Sequence, residues 1–217
     1  MIIKVCGMAD NENFEGLQEI GLIDWVGMIF YPPSRRYVPG FGHAPETYQK
    51  WSLPKVGVFV NASCDTIQST VKAYGLGKVQ LHGDELPQQL EEIKRQLDVE
   101  LIKVFRIGAD WSWKALEPYL PHVDYFLFDT DGPTFGGTGH RFNWELLKQN
   151  PFNKPFLLSG GIGIEQVDEI LEFYQSLPAM EGIDINSRFE VRPGLKDLKL
   201  ITEFTRQLRN RAMKIKK

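Results

Sequence analysis

The chain has 217 residues, is 42% hydrophobic and 24% charged, and carries a formal net charge of −3; this is the composition of a globular protein with a sizeable core and excludes extensive disorder. A sequence pI near 5.9 lacks the basic footprint that a phosphate backbone requires, so nucleic acid is not an expected partner. No run approaches the roughly 18 uninterrupted apolar residues of a membrane span, the opening MIIKVCGMAD is too short for a secretory apolar region, and Cys6 and Cys64 stand far apart without metal-ligand spacing. The expectation is a cytoplasmic protein with no membrane partner, no disulfide and no metal.

In chain order, short apolar runs predict strands at 2–6, 25–30, 55–60, 78–81, 100–105, 125–128, 156–158 and 182–185. Between them lie helical patterns such as 11–20, 65–74, 86–97 and 165–173, with a last helix at 196–213. Strict alternation implies parallel strands joined by crossovers. Eight such units in this length predict an α/β fold, a single-domain (β/α)8 TIM barrel over 1–217, where five or six would favour an open doubly wound sheet. The Pro and Gly clusters at 31–42 and 131–140 exceed an ordinary βα loop and follow strands two and six, on the face where barrels build their sites. The basic end NRAMKIKK suits the C-terminus of the last helix.

Polar residues at strand ends converge on one mouth in this fold. Cys6 ends strand one, His82 strand four and Asp129 strand six, and Asp184 lies near the end of strand eight. Alternation sends Ile3 and Val5 outward and Lys4 and Cys6 into the barrel. A free thiol has a pKa of roughly 8.5, and an adjacent ammonium draws it toward neutrality, favouring a thiolate base or nucleophile. The competing reading of Cys6 is a small buried hydrophobe; Cys64, with no such neighbour, reads as structural. Asp129 follows the apolar run FLF, and partial burial favours the protonated acid that a general-acid role needs; alternatively it caps its loop. FGGTGHRFNW and LLSGGIG place glycines near strand ends and before helices, where exposed amides bind phosphate. Gly160 and Gly161 after strand seven, with Asp184, Asn186 and Ser187 at the end of strand eight, match the usual phosphate position of a barrel, although glycines also serve turns. In PPSRRYV, Arg35 and Arg36 are either a guanidinium source for a ligand carboxylate or a solvated pair. His82 in VQLHGDE either orients a ligand or is a satisfied structural histidine.

Taken in order, KVCGM, GMIFYPPSRRYV, VGVFVN, VQLHGDE, FDT with GGTGHRFNW, LLSGGIG, and DINS with PGLKD resemble the blocks of the phosphoribosylanthranilate isomerase family, from about residue 2 to residue 200. LSGG alone is shared by other phosphate-binding barrels; KVCG, SRRYV, QLHG and GGTG in this order are specific. The resemblance implies an Amadori rearrangement of N-(5-phosphoribosyl)anthranilate in tryptophan biosynthesis, on a small phosphorylated substrate and without metal or organic cofactor. It further implies that Cys6 is the general base at C2 of the opened sugar, and Asp129 the general acid at the ribose ring oxygen. By the same resemblance Arg36 meets the anthranilate carboxylate, and Gly160, Gly161 and Ser187 hold phosphate. The chain departs from the family pattern after its strand-eight aspartate, where DINSRFEVRPG has Asn186, Arg188 and Phe189 among positions usually small; Arg188 there reads as a phosphate contact or a solvent-facing side chain. Rival readings are another phosphate-sugar barrel, such as indole-glycerol-phosphate synthase or a sugar-phosphate epimerase, and a non-catalytic phosphate-binding barrel. A synthase is expected to carry a catalytic lysine and a longer N-terminal extension, whereas this sequence opens on strand one.

Overall fold

The computed structural model describes residues 1–108, 110–130 and 142–215, the last three by their backbone alone. Strands β1 (Ile2–Val5), β2 (Trp25–Ile29), β3 (Lys55–Phe59), β4 (Lys78–Leu81), β5 (Glu100–Ile107), β6 (Tyr125–Thr130), β7 (Phe156–Leu158) and β8 (Met180–Ile185) pair in sequence order, and β8 pairs β1 to close a parallel barrel. All eight predicted strands are present. β5 and β6 run further than their apolar cores suggest, because their mutual ladder continues through Arg106↔Asp129 and Ile107↔Thr130; backbone pairing needs no apolar side chain.

Helices α1 (Asn11–Glu19), α2 (Pro45–Gln49), α3 (Cys64–Tyr74), α4 (Pro87–Gln96), α5 (Val167–Ser176) and α6 (Leu198–Ile215) form the outer ring. Local chemistry starts them: the Asp10 carboxylate accepts the Asn13 N–H at 2.8 Å before α1, and the Ser63 hydroxyl accepts the Thr66 N–H before α3. Strict strand–helix alternation does not hold throughout. After β5 and β6 the chain takes 3₁₀ segments, Trp113–Tyr119 and Trp144–Gln149; the first contains Pro118, which has no N–H to give to an α-helical ladder. A two-stranded hairpin, β9 (Glu190–Arg192) and β10 (Leu195–Lys196), sits between β8 and α6. Among the described residues no helix is long and apolar enough to cross a membrane.

Period-two alternation divides the core in two. Outward residues such as Val5, Met28, Leu81, Phe126, Phe128 and Ile183 pack against the helices, whereas Trp25, Val56, Ile102, Val104, Leu127 and Leu157 fill the barrel interior. The interior also holds a buried ion pair. Lys4 Nζ lies 2.8 Å from Asp184 Oδ1, with side-chain exposures of 0% and 6%, and the two residues are direct partners across the β1–β8 seam. Removing one member of a buried pair leaves the other desolvated and unneutralised, at a cost of about 3–5 kcal/mol. Lys4→Met is therefore expected to lower unfolding free energy by about that amount in urea titrations. Lys4→Met combined with Asp184→Leu is expected to recover much of the loss, and equal stability of Lys4→Met and the unmodified chain would show that the pair carries no such constraint.

Candidate active site

The C-terminal ends of the strands surround a cleft that opens to solvent. Cys6, Arg36, His82, Asp129, Gly160, Gly161, Asp184, Asn186 and Ser187 all line it, so every site residue expected from the sequence is brought to one place. Gln80, Thr130, Ser159 and Arg188 join them.

Cys6 follows β1 and is fixed by its N–H bond to the Ile185 carbonyl at 2.9 Å; its side chain is buried. A Cβ placed on Gly27 of β2 would lie 2.8 Å from the Cys6 sulfur and 3.1 Å from Lys4 Nζ, so only glycine leaves room for thiol and ammonium together. Their electrostatics reverse one expectation. Burial pushes the Cys6 thiol up, more than Lys4 and Lys196 pull it down, and the Asp184 carboxylate adds to the rise. Lys4 does pull the thiol down, by the charge of its ammonium and by hydrogen bond, but burial outweighs that pull. Burial works against that ammonium, but Asp184 and Cys6 outweigh it and hold the Lys4 pKa above its ordinary value. Asp184, expected among the binding residues, thus reaches the cleft with one oxygen committed to Lys4. Cys64 lies outside this cleft, its thiol pushed up to about 11 by burial and by Glu92.

Asp129, on β6, is buried; its Oδ1 accepts the Thr130 N–H at 2.8 Å and its Oδ2 is 3.5 Å from His82 Nε2. Both readings of Asp129 thus have a part in the geometry, one oxygen tying the loop and the other facing His82. Gln80 Nε2 is 3.5 Å from His82 Nδ1, and among the described residues Gln80 Oε1 and His82 Nε2 are buried without a hydrogen-bond partner. Gln80 was absent from the sequence expectation, although it stands two residues before His82 on the same inward face of β4.

Gly160 and Gly161 follow β7 with φ of +89° and +66°. A Cβ at Gly160 would meet Thr130 Oγ1 at 2.3 Å and Asp129 Oδ1 at 3.0 Å, so this turn presses its backbone against the acid. The GGTG cluster after β6 lies outside the described residues. At the departure after β8, Ser187–Phe189 forms a 3₁₀ turn. Phe189 is buried against Phe204 of α6, ring centroids 4.8 Å apart, which anchors the loop from beneath. Arg188 is exposed, yet it is held: it donates to the Gly161 carbonyl at 3.2 Å and pairs with Glu165, bridging the loops after β7 and β8 at the rim of the cleft.

Arg36 is no solvated side chain, in contrast to its exposed neighbour Arg35. Its Nε and Nη2 donate to the Glu190 carboxylate at 2.6–3.0 Å. Glu190 also accepts from Lys196 Nζ at 2.8 Å, and Lys196 donates to Asn186 Oδ1 at 2.8 Å. Burial raises the Glu190 carboxyl, but Arg36 and Lys196 prevail and hold it below the usual range; burial lowers Lys196. Neither Glu190 nor Lys196 was expected from the sequence. Among the described residues no group of His, Cys, Asp and Glu is placed to hold a metal ion. The cleft thus offers a carboxylic acid, a thiol, a guanidinium and a glycine turn, which is a set suited to proton transfer on an anionic ligand.

The family model of N-(5′-phosphoribosyl)anthranilate (PRA) isomerase matches residues 3–207. Proteins named N-(5′-phosphoribosyl)anthranilate isomerase are similar to this chain: that of Phocaeicola vulgatus is 41% identical over 211 residues, covering 97% of this chain and 99% of its own. That of Parabacteroides distasonis is 40% identical over 211 residues, covering 96% and 93%. Among solved structures, phosphoribosyl anthranilate isomerase in complex with reduced 1-(o-carboxyphenylamino)-1-deoxyribulose 5-phosphate superposes with a TM-score of 0.73 at 27% identity, covering 97% of this chain and 100% of that one. On the family match and these relatives together, the chain belongs to the N-(5′-phosphoribosyl)anthranilate isomerase family.

Proposed function

We propose that the protein is a cytoplasmic single-domain enzyme, one barrel over 1–217, that converts N-(5-phosphoribosyl)anthranilate to 1-(2-carboxyphenylamino)-1-deoxyribulose 5-phosphate within tryptophan biosynthesis. The observation that carries this reading is that Cys6 and Asp129, at the ends of β1 and β6, line one cleft with the Gly160–Gly161 turn. Asp129 is the general acid. Its Oδ1 is taken by the Thr130 N–H, so Oδ2 is the oxygen that delivers the proton. That proton goes to the ribose ring oxygen as the C1–O bond breaks and the nitrogen lone pair forms the C1=N iminium. Cys6 thiolate then removes the C2 proton, the C2–H electrons become a C1=C2 bond, and the iminium nitrogen recovers its lone pair. The enaminol ketonises when its C2 hydroxyl gives up a proton and C1 takes one.

The raised thiol fits this order of events. Burial favours the protonated Cys6 until a cation forms beside it, and the iminium is that cation, so ring opening favours release of the thiol proton to solvent through the open cleft and leaves the thiolate that the next step uses. The phosphate is assigned to the turn at Gly160 and Gly161 and to Ser187. The Gly163 N–H is excluded from that set because Gln166 Oε1 already accepts it at 2.6 Å. Arg36 is assigned to the anthranilate carboxylate. The ligand of the solved relative carries a carboxyphenylamino group at one end and a phosphate at the other, and the cleft offers one cationic and one glycine-turn end to match. The reaction as written needs no metal or organic cofactor.

The decay of substrate anthranilate fluorescence measures this directly. Turnover is expected for the unmodified protein, with kcat lowered about 10²- to 10⁴-fold in Cys6→Ser and in Asp129→Asn; no turnover by the unmodified protein, or full turnover by Cys6→Ser, sinks the assignment. Because the free-enzyme thiol is pushed above its ordinary value, its thiolate fraction at neutral pH is below that of a free cysteine. kcat/KM is accordingly expected to keep climbing with pH through and beyond about 8.5, the free-thiol pKa. A profile that flattens near pH 7 would assign the base to another group.

A further inference from the structure

The Arg36 guanidinium reaches the cleft from the loop after β2, yet the contacts that orient it come from the other end of the chain. A guanidinium presents two bidentate edges, one formed by Nε with Nη2 and one by Nη1 with Nη2. Glu190, on β9, occupies the first edge completely: Nε lies 2.9 and 3.0 Å from its two oxygens, and Nη2 lies 2.6 Å from Oε2. Among the described residues the second edge, through Nη1, has no bond within the protein. The Glu190 carboxylate is itself fixed, since Oε1 also accepts Lys196 Nζ at 2.8 Å and the Gly194 N–H at 3.1 Å. Side-chain exposure is 13% for Arg36, 4% for Glu190 and 0% for Lys196.

We propose that Glu190 is a positioning residue for substrate selection: by holding the side edge of Arg36 it presents the end edge to a ligand carboxylate, and by partnering both Arg36 and Lys196 it leaves the group with one net positive charge. This inference rests on the isomerase reading and deepens it at the carboxylate-bearing ring. Two unpaired cations buried this close would repel each other and splay the guanidinium. One carboxylate shared between them both neutralises the excess and sets the direction. The residual charge matches a single ring carboxylate. A substrate whose ring lacks that group leaves the Arg36 end edge unpaired, and discrimination follows from that loss. Gly7 packs in the same space, where an added Cβ would lie 2.7 Å from Arg36 Cδ and 2.8 Å from Asn186 Oδ1, so the guanidinium stem is confined on the Cys6 side as well.

The test compares N-(5-phosphoribosyl)anthranilate with N-(5-phosphoribosyl)aniline, which lacks the ring carboxylate, in Glu190→Gln, Arg36→Met and the double variant. Glu190→Gln is expected to raise KM for the carboxylate-bearing substrate about tenfold, the equivalent of one charge-assisted bond, and to leave KM for the aniline substrate nearly unchanged. In the double variant the carboxylate-specific loss is expected to equal that of Arg36→Met alone, because Glu190 acts through Arg36. Equal losses on both substrates, additive losses, or an unchanged or lowered KM for the anthranilate substrate would refute positioning. If Glu190→Gln does not fold, Glu190→Asp, which keeps the charge but withdraws it by one methylene, carries the same comparison. Should the unmodified protein turn over neither substrate, the isomerase reading fails by itself. The positioning claim is then decided by quenching of anthranilate fluorescence on binding, which Glu190→Gln is expected to weaken about tenfold and which, if undiminished, overturns it.

Discussion

Two opposite charges inside a closed barrel constrain everything built above them. The interior of this fold is normally filled by apolar side chains in layers, as Val56, Ile102, Val104, Leu127 and Leu157 do here. Lys4 and Asp184 enter that dry space only because each neutralises the other at 2.8 Å. Their register across the β1–β8 seam puts them side by side, so barrel closure and charge neutralisation are one event. Once made, the pair leaves the ammonium shared between Asp184 and Cys6, and its pull on the thiol is outweighed by burial. The thiol above it sits in a buried place that pushes its pKa up and favours the protonated form.

The cleft then divides by charge. On one side β4 and β6 present Gln80, His82 and Asp129, the polar groups that face one another across the cleft wall at 3.5 Å. On the other side β1, β2, β8 and the β9–β10 hairpin present cations, each with a carboxylate: Lys4 with Asp184, and Arg36 and Lys196 sharing Glu190. The acid and the base of the proposed reaction lie on different sides of this divide. A substrate that spans it is exposed to proton donation at one end and proton removal at the other, which is how two groups of differing environment perform opposite proton transfers. Arg188 and Phe189 hold the loops after β7 and β8, one tying the two together and the other anchoring the second in the core.

The strands were legible because each needs only a short apolar run, and the mouth was legible because strand ends converge there whatever the helices do. Cys6, His82, Asp129 and Asp184 came from that logic alone, while Arg36 and the roles along the cleft came from the family blocks. Three things were hidden for physical reasons. The segments after β5 and β6 carry helical apolar spacing but a proline and short lengths that settle as 3₁₀ turns. The state of Cys6 depends on how much water is left around it and on whether Lys4 has another partner, and a strand pattern reports neither. Glu190 and Lys196 stand in the hairpin after β8 and matter only through Arg36 and Asn186, so their importance arises from a contact between residues 154 positions apart in the chain.

That separation has a kinetic side. Lys4 and Asp184 are 180 positions apart, and with Arg36 and Glu190 they are joined only when the first strand meets the last. Contacts of such sequence span are entropically costly to close and form late as a chain folds. A partial barrel, even one with most of its strands paired, has neither a neutralised interior nor an oriented guanidinium. Catalytic competence in this architecture therefore waits on closure of the whole ring of strands.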